Sequence, residues 1–465
     1  MKIVIVGNGK VGYSLAEQLV REKHDITVVD VREDPLRRAA DSLDIMVVRG
    51  NGVSADVLRE AGVVGADLLV AATNSDEVNM ICCLTAKNLG TKYTIARIRN
   101  QEYTASLAEL RRNLKIDTII NPESATAVEI SRLLRFPSAA NIETFCRGRV
   151  ELMGFRLQEN DFLVGKPLHA LSAQVKKLSL LFCAVERGSQ MIIPNGSFVP
   201  SVDDKLYLIG RPDSLDQFFR LLGRYAPKVK QVFLVGGGKI SMYLASILDR
   251  AGIKLKIVEL DEKRCRQISE RFPRAMTICG DGTDQELLES ENLSSYDAFV
   301  ALTDRDEDNL IISLYAMQQG LPKIITKCNR ENYAGIARSV GLDSVISPKF
   351  ITASHILRLV RGMQNSQGSV MNSFHRIAGG AAEAMEFTVT ASTRHLGVAL
   401  KDLSLRPGVL IAVIVRGQDI IIPEGSTALQ SDDKVIIISC NSGITGLNDI
   451  YAPERSASGT SGGQQ

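Results

Sequence analysis

Two glycine-rich loops of this chain have the residue types and spacing that bind phosphate through backbone atoms. Their key positions are Gly7, Gly9 and Gly12 in KIVIVGNGKVG, and Gly236, Gly238 and Ser241 in QVFLVGGGKIS. The first glycine of such a loop permits a tight turn, the second lets the chain approach a pyrophosphate, and the third lets helix and strand pack closely. The following helix N-terminus offers free N–H groups to the phosphate. Each loop follows β-forming residues and precedes a helix-like segment, so we expect nucleotide binding, although a turn kept only for packing has the same pattern.

An acidic residue ends the next apolar run after each loop. These residues are Asp30 and Glu259, and both the loops and the acids are separated by the same offset. A carboxylate there accepts hydrogen bonds from ribose hydroxyls and disfavours a 2′-phosphate, which favours NAD(H) or ATP/ADP over NADP(H). Arg32 follows Asp30 closely enough to weaken that exclusion, and a solvated strand end is the alternative interpretation of Asp30. Glu259 is longer than Asp30 and is expected to crowd the ribose.

Polar residues also stand at the ends of two later apolar runs of each unit. They are Thr73, Asn74 and Arg97 in the first unit and Thr303, Asp304 and Lys327 in the second. We expect them to face the ligand crevice, which lies at the carboxyl ends of strands in open α/β sheets. The alternatives are helix capping by a Thr-x-x-Asp box and ordinary surface charge. Lysine lacks the planar fork of arginine, so the second site is expected to be weaker.

Catalytic signatures do not accompany the loops in the sequence. Of the five histidines, His24 stands just before the second strand, away from the expected nicotinamide end. The other four, which show no partner pattern, are His169, His355, His375 and His395. A nicotinamide oxidoreductase needs an acid or base beside the hydride acceptor. We therefore predict no enzyme activity, no catalytic residue and no metal site. An NAD-dependent oxidoreductase with a duplicated domain stays the alternative, and a scaffold with vestigial loops is a third.

The segments that must position these residues alternate between strand and helix patterns. In the first unit, strands are predicted at 2–6, 26–30, 45–48, 67–72, 94–98 and 117–120, with helices at 10–22, 36–42, 54–61, 75–89, 103–112 and 122–136. Strands rich in Val and Ile without polar alternation indicate a parallel sheet covered on both faces. The order predicts an α/β chain with two Rossmann-type doubly wound domains, because the second unit repeats the first at an offset of 229 to 230 residues.

A smaller repeated segment trails each Rossmann-type unit. ERG…IPNG…DDK in the first matches VRG…IPEG…DDK in the second, and apolar strands at 179–185, 190–193, 206–209 and 435–438 predict small α+β modules. The predicted domains are 1–138 and 229–362 for nucleotide binding, 139–222 and 370–450 for the modules, and 452–465 for a disordered Ser/Gly-rich tail.

Composition limits the other classes of function. A formal net charge of +2 argues against a broad nucleic-acid footprint. The eight cysteines are scattered without zinc-site spacing, which indicates a reducing compartment. Apolar runs have strand length and fall short of the ~20 residues that span a bilayer, so a soluble chain that could dock on a membrane protein is expected.

The chain resembles the KTN/RCK family of regulators of bacterial potassium uptake in the motifs MKIVIVGNGKVG, ATNSDEVNM and IARIRN and in the duplicated IIP(N/E)G and DDK segments. Its doubled layout resembles the Trk-type members of that family. The resemblance covers nearly all of residues 1–450. It implies a cytoplasmic regulatory subunit, peripheral on the inner face of the cell membrane, that forms a homo-oligomeric, tetrameric ring. That ring would gate a TrkH/TrkG-type potassium transporter in response to NAD(H) and ATP/ADP. The nucleotide-binding residues it implies are Gly7, Asn8, Gly9, Lys10, Val11, Gly12, Asp30, Thr73, Asn74, Arg97, Gly236, Gly237, Gly238, Lys239, Ile240, Glu259, Thr303, Asp304 and Lys327.

Overall fold

The computed structural model describes the chain in two compact units. The first contains residues 1–140 and 226–357, and the second contains residues 141–225 and 358–465. The described residues are 1–100, 103, 107–135, 141–171, 175, 177–188, 190–223, 228–342, 344–364, 370–377, 380–441 and 443–452. The tail predicted at 452–465 lies outside them except for its first residue.

The first Rossmann-type domain is a six-stranded parallel sheet with helices between its strands. Its strands are β1 (Lys2–Val6), β2 (Asp25–Asp30), β3 (Met46–Arg49), β4 (Leu68–Ala71), β5 (Tyr93–Arg97) and β6 (Thr118–Ile120). Its helices are α1 (Lys10–Arg21), α2 (Glu33–Ser42), α3 (Ala55–Glu60), α4 (Asp76–Asn88), α5 (Leu107–Asn113) and α6 (Pro122–Arg135). The strand order β3-β2-β1-β4-β5-β6 reverses between β1 and β4, which places a crevice at the carboxyl ends of those two strands.

The first small module follows in the chain and belongs to the second unit. It contains β7 (Asn141–Phe145), β8 (Val150–Arg156), β9 (Leu180–Arg187), β10 (Gln190–Ile192), β11 (Lys205–Gly210) and α7 (Pro212–Leu221). These strands form a sheet in the order β10-β9-β11-β8-β7 whose neighbours are antiparallel. The sequence had not singled out β7 and β8.

The second Rossmann-type domain repeats the first. Its strands are β12 (Gln231–Val235), β13 (Lys254–Glu259), β14 (Met276–Cys279), β15 (Ala298–Ala301), β16 (Ile324–Lys327) and β17 (Val345–Ile346). Its helices are α8 (Lys239–Arg250), α9 (Glu262–Arg271), α10 (Gln285–Ser290), α11 (Asp306–Gln318), α12 (Glu331–Ser339) and α13 (Pro348–Gln364). The strand order β14-β13-β12-β15-β16-β17 corresponds strand for strand to the first sheet.

The second small module completes the repeat. Its strands are β18 (Val370–Ile377), β19 (Ala382–Thr388), β20 (Val409–Arg416), β21 (Asp419–Ile421) and β22 (Lys434–Ser439), in the sheet order β18-β19-β22-β20-β21. Buried residues of both modules, such as Tyr207, Ile209, Ile436 and Ile438, belong to one apolar cluster. The second unit therefore has a core to which both modules contribute, and the α/β fold class with duplicated Rossmann-type sheets is confirmed.

Candidate nucleotide-binding site

The first glycine loop has the backbone that its sequence predicts. Gly7 has a φ of +100°, and a Cβ there would lie 2.8 Å from the backbone nitrogen of Thr73. A Cβ on Gly12 would lie 1.9 Å from the carbonyl oxygen of Gly7, so the helix and the loop touch directly. A Cβ on Gly9 would have no atom of the described residues within 4 Å. Two glycines thus permit the fold, while Gly9 leaves open space at the N-terminus of α1.

Asp30 lies at the end of β2 with its carboxylate against this loop. Its Oδ2 accepts a hydrogen bond from the backbone N–H of Asn8 at 2.7 Å, and its Oδ1 accepts from the N–H of Arg32 at 2.9 Å. Only 8% of Asp30 is exposed. The carboxylate is thus not a solvated strand end, because it fixes the loop that follows β1. The Asn8 side chain donates to the carbonyl of Pro35 at 2.7 Å, while its own Oδ1 is buried and accepts no hydrogen bond from any described residue.

A buried asparagine holds the ends of β4 and β5 together. Asn79, which is 0% exposed, accepts hydrogen bonds from the N–H and the hydroxyl of Thr73, at 2.8 and 2.7 Å. Its amide donates to the carbonyl of Arg97 at 2.8 Å. Asn309 repeats the bonds to the Thr303 N–H and to the carbonyl of Lys327. Thr73 and Thr303 are therefore positioned by asparagines that the sequence analysis did not name as site residues.

Thr73 and Asp76 do not form a capping box at the N-terminus of α4. The N-cap of α4 is Ser75, whose hydroxyl accepts from the N–H of Val78 at 3.2 Å. Asp76 is one residue inside the helix, and its Oδ2 accepts from the N–H groups of Arg99 and Asn100, each at 2.8 Å. The Thr73-x-x-Asp76 pattern is thus no capping box, and both of its side chains brace loops at the rim of the crevice.

Arg97 belongs to a half-buried group of charges beside the first loop. Its Nη2 lies 3.7 Å from Oε1 of Glu123, and Nη1 of Arg99 lies 3.9 Å from the same oxygen. The Nε atoms of both arginines are buried, and no described residue is hydrogen-bonded to either of them. Burial lowers the pKa of Arg97, although the Glu123 carboxylate opposes the shift. Two guanidinium groups share one carboxylate here, so their donors are not saturated and suit a phosphate oxygen.

The second site accommodates Glu259, which is one methylene longer than the matching Asp30. Glu259 accepts from the N–H of Gly237 at 2.5 Å, as Asp30 does from Asn8 in the first site, and from the N–H of Asp261 at 2.8 Å. A Cβ on Gly237 would lie 2.5 Å from Cδ1 of Ile268 and 2.9 Å from Oε2 of Glu259. The missing side chain at Gly237 therefore makes room for the extra methylene of Glu259.

Ser241 does not disrupt the second loop. Its hydroxyl donates to the carbonyl oxygen of Gly236, and Gly236 keeps a φ of +98°. Gly238 also resembles Gly9, because a Cβ there would meet nothing within 4 Å. The departure from the glycine pattern is thus absorbed by a local hydrogen bond.

Lys327 takes the place of Arg97 in the second site. Its Nζ lies 3.7 Å from Oδ1 of Asp304. Burial lowers the pKa of Lys327, Asp304 and Asp306 oppose that shift, and the positive charge of Lys10 adds to it. Lys10 belongs to the first glycine loop, so a cation of one site lies near a cation of the other.

Both loops line one cavity of about 1830 Å³ within the first unit. The predicted residues that line it are Asn8, Gly9, Lys10, Val11, Asn74, Arg97, Gly237, Gly238, Lys239, Ile240, Asp304 and Lys327. The predicted residues that are not among its lining are Gly7, Gly12, Asp30, Thr73, Gly236, Glu259 and Thr303. Further cations that line the cavity are Arg32, Arg38, Arg99, Arg264, Arg305, Arg330 and Lys349. The structure thus brings the glycine loops of the two predicted sites into one cavity, in which lining cations outnumber lining acids.

The two Rossmann-type domains also meet through α6 and α8. Asn121 at the start of α6 donates to the hydroxyl of Tyr243 at 2.8 Å, and that hydroxyl lies 3.3 Å from the carbonyl of Arg99, to which it donates. The matched positions on the opposite side of the repeat are Ser347 and Ser14. Their hydroxyl oxygens are both buried, and neither has a hydrogen-bond partner among the residues that the structure describes. The packing between the domains is therefore asymmetric at corresponding places.

Comparison with known proteins agrees with the duplicated fold. The model of the TrkA-N domain matches residues 3–122 and 232–348, and that of the TrkA-C domain matches residues 152–223 and 384–445. The chain belongs to the TrkA family. The Trk system potassium uptake protein TrkA of Halomonas elongata is 37% identical, over 94% of this chain and 95% of the relative. TrkA homolog 1 of Methanosarcina mazei is 36% identical, over 97% of this chain and 100% of the relative.

A solved structure extends the similarity to the fold. The GsuK RCK domain aligns with a TM-score of 0.61 at 20% identity, over 94% of this chain and 92% of that chain. Membership of the TrkA family confirms the resemblance seen in the glycine loops and the trailing modules. It also places the chain in a family of potassium uptake proteins rather than among enzymes. In the described part of the chain, no helix is both long and apolar enough to cross a membrane.

Proposed function

We propose that this TrkA-family chain is a nucleotide-sensing regulatory subunit that gates a TrkH/TrkG-type membrane potassium transporter. The observation that carries the proposal is the shared cationic cavity, which the N-termini of α1 and α8 both enter. A helix N-terminus with open space at its second glycine suits a phosphate. The similarity of the relatives to this chain, and their names as potassium uptake proteins, support the transport context.

The ligands we propose are NAD(H) and ATP/ADP. At the first site, Gly9 would admit the phosphates, Asp30 would accept from the ribose hydroxyls, and Arg97 with Lys10 would neutralise charge. Gly238, Glu259 and Lys327 would take these places at the second site. A structure of the GsuK channel bound to NAD has the same fold, with a TM-score of 0.61, which supports a nucleotide as the ligand class.

A nucleotide can gate the transporter if it binds two conformations of the subunit with different affinities. A nucleotide shifts an equilibrium between two conformations only by binding one of them more tightly, and couplings of ~1–3 kcal/mol are typical. The helices α6 and α13 start at the rim of the cavity, where Pro122 and Pro348 line it, and each leads along the chain towards a small module. We propose that these helices transmit ligand binding, with each protomer acting in a ring of four.

The proposed subunit has four domains and lies in the cytoplasm. Nucleotide domains at 1–138 and 229–362, with modules at 139–222 and 370–450, agree with the matched family segments. We propose that the subunit lies in the cytoplasm and reaches the inner face of the membrane through the transporter.

Potassium flux into vesicles that contain the transporter tests the proposal. We expect the added chain to change the flux, and NADH or ATP to alter that change. Calorimetric titration with the same nucleotides measures binding in parallel. Nucleotide binding without any effect on flux would contradict gating, and absence of binding at millimolar nucleotide would contradict the sensing role.

A further inference from the structure

Two cysteines lie together beside the second glycine loop. Cys265 is in the first turn of α9, and Cys279 is the last residue of β14. The positions that match them in the first domain are Leu36 and Arg49, so the pair occurs in one copy only. The structure leaves both thiols unbonded to any other cysteine, with Cys265 buried and Cys279 exposed.

The two cysteines lie on either side of the backbone of Glu259. Cys279 is paired with Glu259 in the parallel register of β13 and β14. The Cys265 thiol donates to the carbonyl oxygen of Glu259 at 3.2 Å, and the N–H of Gly280, the residue after Cys279, donates to the same oxygen at 2.9 Å. Burial, together with a hydrogen bond to the neighbouring Cys279 thiol, raises the pKa of Cys265 to about 12.

We propose that Cys265 and Cys279 form a reversible disulfide when the protein meets a low-molecular-weight disulfide, and that this bond regulates the second nucleotide site. The site is a modification site in addition to the nucleotide sites, and its regulatory part rests on the function proposed above. Cys279 reacts first, because the thiolate is the attacking species and Cys279 is the accessible one of the two cysteines.

The exchange is balanced without any other reactant. The Cys279 thiolate attacks one sulfur of the small disulfide, forms a mixed disulfide and releases one small thiolate. The Cys265 sulfur, after losing its proton, then attacks Sγ of Cys279, forms the Cys265–Cys279 bond and releases the second small thiolate. The two protein thiols are oxidised, the small disulfide is reduced to two thiols, and the two protons end on those thiols.

The bond would constrain the wall of the second site. Cys265 and Ile268 lie one turn apart on α9, and Ile268 stands against Gly237 of the loop. Glu259, which holds the N–H of Gly237, lies between the two cysteines. Tying α9 to β14 across Glu259 prevents these two elements from moving apart around the carboxylate that we propose for the ribose. The disulfide is therefore expected to weaken nucleotide binding at this site.

The covalent step is tested on the full chain with oxidised glutathione. Mass spectrometry of a non-reduced digest is expected to find a peptide pair joined through Cys265 and Cys279. In Cys265→Ser, Cys279 is expected to carry glutathione instead. Cys440→Ser is the matched control and should still form the cross-link. Closure of a loop of about 15 residues is expected to raise the melting temperature by roughly 5 °C. Wild-type protein with glutathione on Cys279 and no cross-link would overturn the proposal.

The regulatory step is tested by calorimetry in an Asp30→Asn background, in which the first site is weakened. Oxidation is expected to lower the affinity of the second site for NADH or ATP on the order of tenfold, and Cys279→Ser should abolish that response. Equal affinities of the cross-linked and reduced protein would overturn regulation by the bond. Absence of binding to the reduced protein would overturn it together with nucleotide binding at the second site, whereas the digest would still report the cross-link.

Discussion

Replacement of Gly9 by alanine separates nucleotide binding from folding. Gly9 has a φ of −80°, and a Cβ there meets nothing within 4 Å. Alanine is less favourable than glycine as an N-cap by about 0.5–1 kcal/mol, but it also restricts the unfolded chain by about 0.4–1 kcal/mol. We therefore expect Gly9→Ala to change the free energy of unfolding by less than ~0.5 kcal/mol.

The added methyl group has a different effect on a ligand. Gly9 lines the cavity at the N-terminus of α1, where a phosphate oxygen must approach N–H groups to about 2.9 Å. A methyl group in that space prevents the approach. We expect at least a tenfold loss of nucleotide affinity at the first site, equal to about 1.4 kcal/mol.

Gly7→Ala is the matched control because it places the same methyl group where the fold cannot accept it. The φ of +100° costs an alanine about 1–2 kcal/mol, and the Cβ would lie 2.8 Å from the backbone of Thr73. Urea denaturation of both variants measures stability, and calorimetric titration with NADH measures binding. Gly9→Ala with wild-type affinity would refute the assignment of the loop to phosphate. Gly9→Ala that unfolds as readily as Gly7→Ala would refute the separation of roles.

The remaining predictions concern the acids and an ion pair. Asp30→Asn is expected to weaken nucleotide binding at the first site in calorimetry while costing less stability than Asp30→Ala. Asp30→Ala removes the acceptor of the N–H groups of Asn8 and Arg32, and the buried one at Asn8 is left unpaired at a cost of about 1–3 kcal/mol. Gly237→Ala is expected to lower the free energy of unfolding by about 1–3 kcal/mol, because the added methyl group overpacks the site. Adding Glu259→Asp to the same chain should recover part of that loss in a double-mutant cycle measured by denaturant unfolding. Additive losses would contradict the idea that Gly237 makes room for Glu259. Burial tends to raise the pKa of Asp204, but the Arg187 guanidinium holds it below its usual value. The Arg187–Asp204 pair should therefore stabilise the fold at pH values above the ordinary carboxyl pKa, and this stabilisation should be lost as the pH falls through the lowered pKa. The melting temperatures of Arg187→Ala and wild type should accordingly converge at low pH.

The sequence predicted the Rossmann-type domains because their signals are local. A tight turn at Gly7, an apolar strand before it and an acid after the next strand are readable within thirty residues. The helix predicted at 36–42 begins earlier, at Glu33, because acidic residues are favourable in a first helical turn. The strands β7 and β8 were not found, since their burial depends on the shared core of the small modules.

The bracing residues of the site could not be assigned from one unit alone. Asn79 bonds to residues on two different strands, and Asp76 bonds to a loop 23 residues away. Their identity in both copies, as Asn309 and Asp306, is the one signal in the sequence. Whether a polar residue touches ligand or braces a loop depends on the direction of its side chain, which spacing does not determine.

The asymmetric junction between α6 and α8 carries information about the history of the gene. In a symmetric pair of single-copy chains, a residue that serves one junction must serve the other as well, because both come from the same codon. Asn121 and Tyr243 are hydrogen-bonded here, whereas the hydroxyls of the corresponding Ser347 and Ser14 have no partner within the described part of the chain. Such a difference can be inherited only after the sequence has been duplicated, so that each junction has codons of its own. Duplication therefore preceded this divergence, and it freed each half of the protein to specialise without changing the other.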